Sequence, residues 1–332
     1  MIRRIVLAIV GFALGGLCLW LSTRSVDWRE AVRIFRSADA AGLATGIGLF
    51  AAAAVLRALR WRTIIAFRTR LSMRMSLQAL LAGYAVNSVL PARLGEIFRA
   101  HYLGRRAGVS RPGALASIVI ERLLDLVTVI GSLAAGLALA GGGDSASRHV
   151  LFAGAALAGL AVVLLLALAW LLSQRSAKDW LLLMAARVPA GDRIARRLGG
   201  MLGDFTQALQ VVRTRHFLVA VLLTFPIWIL EACAMWSVCC AIGVTLDLTA
   251  MLSLLGGASL STLVPTAPGY VGSYQIAFVV ILGQFGVGPT LAIVGATAVQ
   301  VYLIGTLTLV GLAILAVDSV ASAVKAARRP PL

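Results

Sequence analysis

Three groups of residues in this chain have the types and spacing for chemistry. The first is Glu121-Arg122-x-x-Asp125, inside an apolar run that begins at Pro112. Counted from Pro112 at 1.5 Å per residue, Glu121 is ~13.5 Å along a helix, near the centre of a ~30 Å hydrocarbon layer. An ionisable group at that depth costs at least ~2.5 kcal/mol against lipid. The three must therefore face protein or a watery cavity. Glu121 and Asp125 share one helix face, and Arg122 reaches Asp125 at i+3. The set reads either as an ion pair that fixes helix packing or as the floor of a polar site. Glu231, in Ile229-Leu230-Glu231-Ala232, is a further mid-span acid, and pairing with Arg122 is its plainest explanation.

The second group is Pro91-x-Arg93-x-Gly95-Glu96-x-x-Arg99. Pro91 and Gly95 break a helix, and a helix restarting near Gly95 points free N–H groups at the break. Helix N-termini attract anions, and Arg93 adds a forked donor suited to phosphate. An ordinary basic loop is the alternative. The third group is Pro265-x-x-Pro268-Gly269-x-x-Gly272-x-x-Gln275. Proline removes a backbone donor and glycine permits turns that other residues resist. Backbone groups freed at membrane depth need a protein or water partner, so such a break lines a cavity. Gln275 donates and accepts hydrogen bonds without carrying charge.

The elements that must hold these groups are membrane helices. Hydrophobic residues make up 60% of the chain and charged residues 13%, against ~25% charged in a soluble domain. The longest polar stretch, Ser173 to His216, is too short for an independent enzymatic core. Apolar spans are expected at Ile5–Leu21, Ala40–Leu59, Pro112–Ala140, Val150–Leu172, Phe217–Ile242 and Val287–Val317. Two shorter segments, Met75–Leu90 and Ala250–Val264, are related by a repeat. Leu80-Leu81-Ala82-Gly83, Ser88, Pro91 and Gly95 return 174 residues later as Leu254-Leu255-Gly256-Gly257, Thr262, Pro265 and Gly269. Paired, proline-interrupted short segments in the two halves of a membrane protein point to a transport-type site.

Charge selects a topology. With both short segments re-entrant and the N-terminus inside, 24 basic residues fall in the cytoplasm and 5 outside. With both as full crossings, the numbers are 12 and 17. The positive-inside rule favours the first arrangement. The expected fold is thus all-α and polytopic: six transmembrane helices plus two opposed re-entrant hairpins, about eight hydrophobic segments in one membrane domain. Inverted repeats span about residues 1–172 and 173–332, with both termini cytoplasmic.

The net charge of +17 is explained by cytoplasmic loops facing an anionic leaflet. No compact basic domain exists to dock on nucleic acid. The basic stretch Asp179 to Leu202 reads as a surface amphipathic helix or a connecting loop. The first span lacks a small-x-small cleavage pattern and is expected to stay uncleaved. Cys18, Cys233, Cys239 and Cys240 lie in apolar spans without metal spacing, and His101, His149 and His216 are widely separated. No metal or cofactor is expected. Trp20, Trp61, Trp170 and Trp180 fall at expected span ends and read as interfacial anchors. No Gly-x-x-x-x-Gly-Lys pattern is present for ATP hydrolysis.

The three motifs, in this order, resemble those of the lysylphosphatidylglycerol synthase transmembrane family, and the resemblance covers nearly the whole chain. It implies a lipid-handling membrane domain of a prokaryotic cytoplasmic membrane, with lipid flipping as the family's best-known activity; some relatives carry hopanoid-related or lipid-linked glycan assignments. Two positions depart from the family pattern, where Tyr270 stands for a glycine and Gln275 for an acid. The 332 residues hold no soluble aminoacyl-transferring domain, so lipid aminoacylation is not expected of them.

The combined expectation is a translocator of a phosphate-bearing lipid rather than an enzyme. Arg93, Glu96, Arg99, Glu121, Arg122, Asp125, Glu231 and Gln275 are its expected lipid contacts, and Pro91, Gly95, Pro265, Pro268, Gly269 and Gly272 its gate. The expected partners are a membrane lipid with an anionic head group and an enzyme that makes it. An accessory subunit of a lipid or glycan pathway is the alternative, and a membrane-embedded transferase acting on a lipid-linked substrate is the third reading.

Overall fold

The computed structural model describes residues 16–66 apart from 25, then 70–90, 94–140, 210–264 and 267–327, with isolated residues between 156 and 207; the side chains of 212, 213 and 322–327 are excepted. Pro91, Arg93, Pro265, the expected span Val150–Leu172 and the basic stretch Asp179–Leu202 lie outside these residues, the last two but for isolated positions.

The described residues form helices and turns, without a strand. A short helix α1 (Trp28–Arg36) precedes α2 (Ala40–Ala66). Then come α3 (Met73–Val89), α4 (Leu94–Ala107) and α5 (Arg111–Leu139). The second half contains α6 (Arg215–Ala241), α7 (Leu248–Ser261), α8 (Ser273–Gly283), α9 (Pro289–Val299) and α10 (Thr306–Ala327). A π-helical turn, Gln300–Gly305, joins α9 to α10. Among the described residues, three stretches are long and apolar enough to cross a membrane: Ala40–Ala66, Arg215–Ala241 and Pro289–Ala321. This is a multi-pass helical membrane protein.

Local chemistry starts the helices where they start. Ser72, Ser110 and Asp247 each accept a hydrogen bond from the backbone N–H three residues on, at 3.2, 3.2 and 2.7 Å, which satisfies one orphan donor of each first turn. Pro112 fits the first turn of α5, where its missing N–H costs nothing.

Packing then sets the frame. α2 lies along α6, α7 along α5, and α3 along α10 and α4. The α5–α7 contact is backbone against backbone. A Cβ on Gly256 would come within 2.6 Å of the Leu133 Cβ and 2.7 Å of its N. Only a residue without a side chain permits that approach, the usual device for close helix contact in lipid. One apolar core gathers Trp228, Leu254, Phe278, Val299 and Leu303. A second gathers Trp61, Ala79, Leu103 and Ile118. The charged residues of α2, α5 and α6 meet where these cores adjoin.

Two expectations are corrected. The second span does not end at Leu59: α2 continues to Ala66, so Arg57 and Arg60 are buried helix residues rather than loop charges. They were counted among the 24 cytoplasmic cations and do not belong there. Trp61 is no interfacial anchor either. It is fully buried, and its Nε1–H donates to Ser117 Oγ at 2.9 Å.

Candidate functional site

Helix periodicity brings the charges together. Arg57, Arg60, Trp61 and Ile64 share one face of α2, Glu121 and Asp125 one face of α5, and Thr224, Trp228 and Glu231 one face of α6. Arg57 bridges two acids, with Nη2 2.6 Å from Glu231 Oε1 and Nη1 3.2 Å from Asp125 Oδ2. Arg60, with no exposed surface, lies 2.8 Å from Asp125 Oδ1 and 3.4 Å from Glu121 Oε1. It also donates to Thr224 Oγ1 at 3.0 Å. Trp228 Nε1–H donates to Asp125 Oδ1 at 3.2 Å.

α4 adds Arg99 and Glu96. Arg99 Nη2 is 2.8 Å from Glu121 Oε2; the contact is an ion pair without hydrogen-bond alignment. Its guanidinium carbon stacks 3.5 Å from the centre of the Trp61 ring, a cation–π contact. Arg122 completes the group, with Glu96 and Asp125 both at 3.6 Å. Four arginines thus face four carboxylates. Neutrality makes burial tolerable, because an unpaired charge at this depth would cost several kcal/mol, on the order of 3–5 when a partner is removed.

A cavity of about 280 Å³ opens beside the network. Its polar wall comprises Arg57, Glu96, Arg122, Asp125 and Glu231. The rest of the lining includes the aromatic rings of Phe50, Tyr84, Trp228, Tyr270 and Tyr274, aliphatic side chains of α5, α7, α9 and the π-turn, Met235 of α6, and the hydroxyls of Ser259 and Thr262. A charged patch facing a larger apolar and aromatic wall suits an amphiphile.

Arg122 differs from the other three cations. Its side chain is 28% exposed and its two ion pairs exceed hydrogen-bond length; like those of Arg60 and Arg99, its Nε is buried without a hydrogen-bond partner. Such a group has binding capacity to spare.

The second motif behaves differently from its expectation. The Gly95 N–H is not free for an anion: it donates to Asn87 Oδ1 at 2.7 Å. Arg99 is engaged with Glu121 and Trp61 and does not line the cavity, whereas Glu96 does. Glu231 pairs with Arg57 rather than with Arg122.

The third motif is a break, as its composition demands. Gly269 and Gly272 have φ of +71° and +94°, and Pro268–Tyr270 is a single 3₁₀ turn between α7 and α8. Tyr270 also has a positive φ, +64°. A side chain at that φ is strained by ~1–2 kcal/mol. Gln275 lies outside the cavity wall. Its Oε1 accepts from the Gly272 N–H at 2.8 Å and its Nε2 donates to Gln300 Oε1 at 2.5 Å. Gln300 in turn donates to the Gly269 carbonyl at 3.0 Å. The amide that replaces an acid here holds the break in shape.

Arg57 and Arg60 are the residues that sequence reasoning missed. Charge balance was the available signal. Glu121, Asp125 and Glu231 at membrane depth carry three negative charges against Arg122 alone, so two more cations were required.

A multi-pass helical membrane protein whose cavity is charged on one wall and apolar over the rest is the class this architecture defines. Within it, the profile of the family described as the lysylphosphatidylglycerol synthase TM region matches residues 8–311, and the chain belongs to that family. It is 26% identical over 325 residues to Glycosyltransferase AglD of Haloferax volcanii, covering 89% of this chain and 52% of that protein. The chain therefore spans about half the length of that relative. A UPF0104 membrane protein of Methanothermobacter thermautotrophicus is 26% identical over 261 residues, 73% of this chain and 75% of its own. The UPF0104 membrane protein MJ1078 of Methanocaldococcus jannaschii is 22% identical over 200 residues, 59% of this chain and 78% of its own.

The expectation that the chain is not an enzyme is corrected by these matches. A relative that aligns with 89% of the chain, and of which the chain covers 52%, is named a glycosyltransferase.

Proposed function

We propose that this chain handles a phosphate-bearing lipid in the cavity beside Arg122 and carries its head group between the leaflets of a prokaryotic cytoplasmic membrane. The observation that carries the reading is Arg122 itself: a cavity-lining guanidinium with long ion pairs and an Nε lacking a hydrogen bond. Arg57 stands beside it on the same wall. The apolar and aromatic wall accepts the first methylenes of a lipid chain. Arg93 joins Arg122 at the phosphate in this proposal. The breaks at Pro91–Gly95 and Pro265–Gly272 act together as the gate, since Pro268–Tyr270 packs on α3 and a Cβ on Gly269 would lie 3.9 Å from the Ser88 carbonyl.

Inverted repeats of about residues 1–172 and 173–332 would make that mechanism natural. Packing supports the idea. Exchanging the halves maps α3 against α10 onto α7 against α5, and leaves α2 against α6 unchanged. Both termini are cytoplasmic in this proposal, and an enzyme that makes the lipid is the expected partner.

A second reading is favoured by the match to a protein named a glycosyltransferase: the cavity presents a lipid-linked substrate for sugar transfer. Purified protein in vesicles separates the two. Accelerated movement of a fluorescent phospholipid, relative to empty vesicles, supports translocation. Sugar transfer to a polyprenyl phosphate, without faster lipid movement, supports the second reading and overturns the first.

A further inference from the structure

A nine-residue helix, α1, packs on α9 at the end of the molecule where α2 begins and α6 ends. The Asp39 N–H, just after α1, donates to the Ala241 carbonyl at the end of α6, at 2.8 Å. The Asp27 N–H, just before α1, donates to Thr290 Oγ1 in the first turn of α9, at 3.1 Å. The spans begin at Ala40, end at Ala241 and begin at Pro289 at this same end of the molecule. α1 therefore sits at the level where hydrocarbon gives way to head groups.

The faces of α1 are sharply divided. Ala31 is buried, Ile34 and Phe35 pack on the core, and Phe35 stacks on Tyr302 with centroids 6.1 Å apart. Trp28 and Val32, one turn apart, are 60% and 50% exposed. Arg29, Arg33 and Arg36 form the adjoining stripe, and among the described residues none of them has an ion pair. The aspartates at this end are spent on backbone. Asp27 accepts from the N–H groups of Arg29 and Glu30, Asp39 from Ala41 and Gly42, and Asp247 from Ala250.

We propose that α1 is an interfacial helix that docks on anionic lipid head groups, with Trp28 and Val32 in the upper acyl region and Arg29, Arg33 and Arg36 on lipid phosphates. Aromatic and aliphatic residues beside an arginine stripe are the signature of a helix lying in that plane, and each arginine there is attracted to anionic lipid. This surface is distinct from the cavity, and its occupant is the leaflet itself.

The test places a bimane fluorophore at Val32→Cys, with the four native cysteines replaced, in the full chain reconstituted in phosphatidylcholine vesicles containing a minor share of phosphatidylglycerol. Nitroxide lipids carry the quencher near the head group, on either phosphatidylglycerol or phosphatidylcholine. The expected result is quenching by both, with about a fivefold preference for the anionic label, the factor one arginine's attraction supplies. Arg29→Gln with Arg33→Gln and Arg36→Gln should abolish the preference and keep the quenching, and the matching lysine variants should restore it. Equal quenching by the two lipids in the unaltered helix overturns the proposal. So does a label shielded from both lipid and water, which would mean that a protein covers α1.

Discussion

Replacing Arg57 tests whether the buried charges act as one network. Arg57 holds Glu231 through two nitrogens, at 2.6 and 2.8 Å, and Asp125 through a third at 3.2 Å. In Arg57→Met, Asp125 retains Arg60 at 2.8 Å and Trp228 at 3.2 Å. Glu231 loses the only ion pair it has among the described residues. Breaking a buried pair costs about 3–5 kcal/mol. Glu231 borders the cavity with 16% of its side chain exposed, so we expect a loss near the lower bound, about 3 kcal/mol. Glu231→Leu leaves Arg57 with Asp125 and should cost about 1.5 kcal/mol, the order of one charged hydrogen bond. The double variant restores equal numbers of cations and acids. It should lose only about 2 kcal/mol, well short of the sum of the two, a coupling near the upper end for contacting residues. Reversible unfolding in mixed micelles measures all three. Strict additivity would refute the reasoning, because it would mean that Arg57 and Glu231 are solvated separately.

Gly256→Ala should cost about 3 kcal/mol, the top of the overpacking range, because the new methyl meets the Leu133 backbone at 2.7–2.8 Å; the same unfolding measurement checks it. A Cβ at Gly269 would meet nothing closer than 3.9 Å, but Gly269→Val must adopt φ +71°, a strain of ~1–2 kcal/mol. It should slow lipid movement in vesicles more than it weakens lipid binding, and equal losses would make the break merely structural. Arg106 is 35% exposed in its pair with Asp318 and cytoplasmic in the proposed topology. Arg106→Cys should therefore resist an impermeant thiol reagent in intact cells, and strong labelling would sink that topology.

The helices were legible because hydropathy and breakers act locally. The expected spans Pro112–Ala140 and Phe217–Ile242 differ from α5 and α6 by a residue or two at each end. The short repeated segments appear as α3 and α7, each ending where proline and glycine follow. Arg57 and Arg60 were misread because a cation near the end of an apolar run looks like a loop charge. Its burial depends on acids 68 and 174 residues away, which no window contains. The role of Gln275 was illegible for a related reason. Its partner Gln300 sits in a π-turn with no sequence signature of its own. Trp61 was assigned to the membrane surface by position alone, whereas Ser117 and Arg99 claim it for the interior.

The central claim is that Arg122 takes the lipid phosphate, and lipid binding by Arg122→Gln tests it most directly. Its loss leaves Glu96 without an ion pair among the described residues, so stability should fall by about 3 kcal/mol, the lower bound for breaking a buried pair, while Asp125 keeps Arg57 and Arg60. A charge-assisted contact with phosphate contributes about 1.5–3 kcal/mol. Titration of the purified, folded variant with a phosphate-bearing lipid should therefore show affinity weakened roughly tenfold to a hundredfold. Undiminished affinity in a folded Arg122→Gln protein would contradict the account.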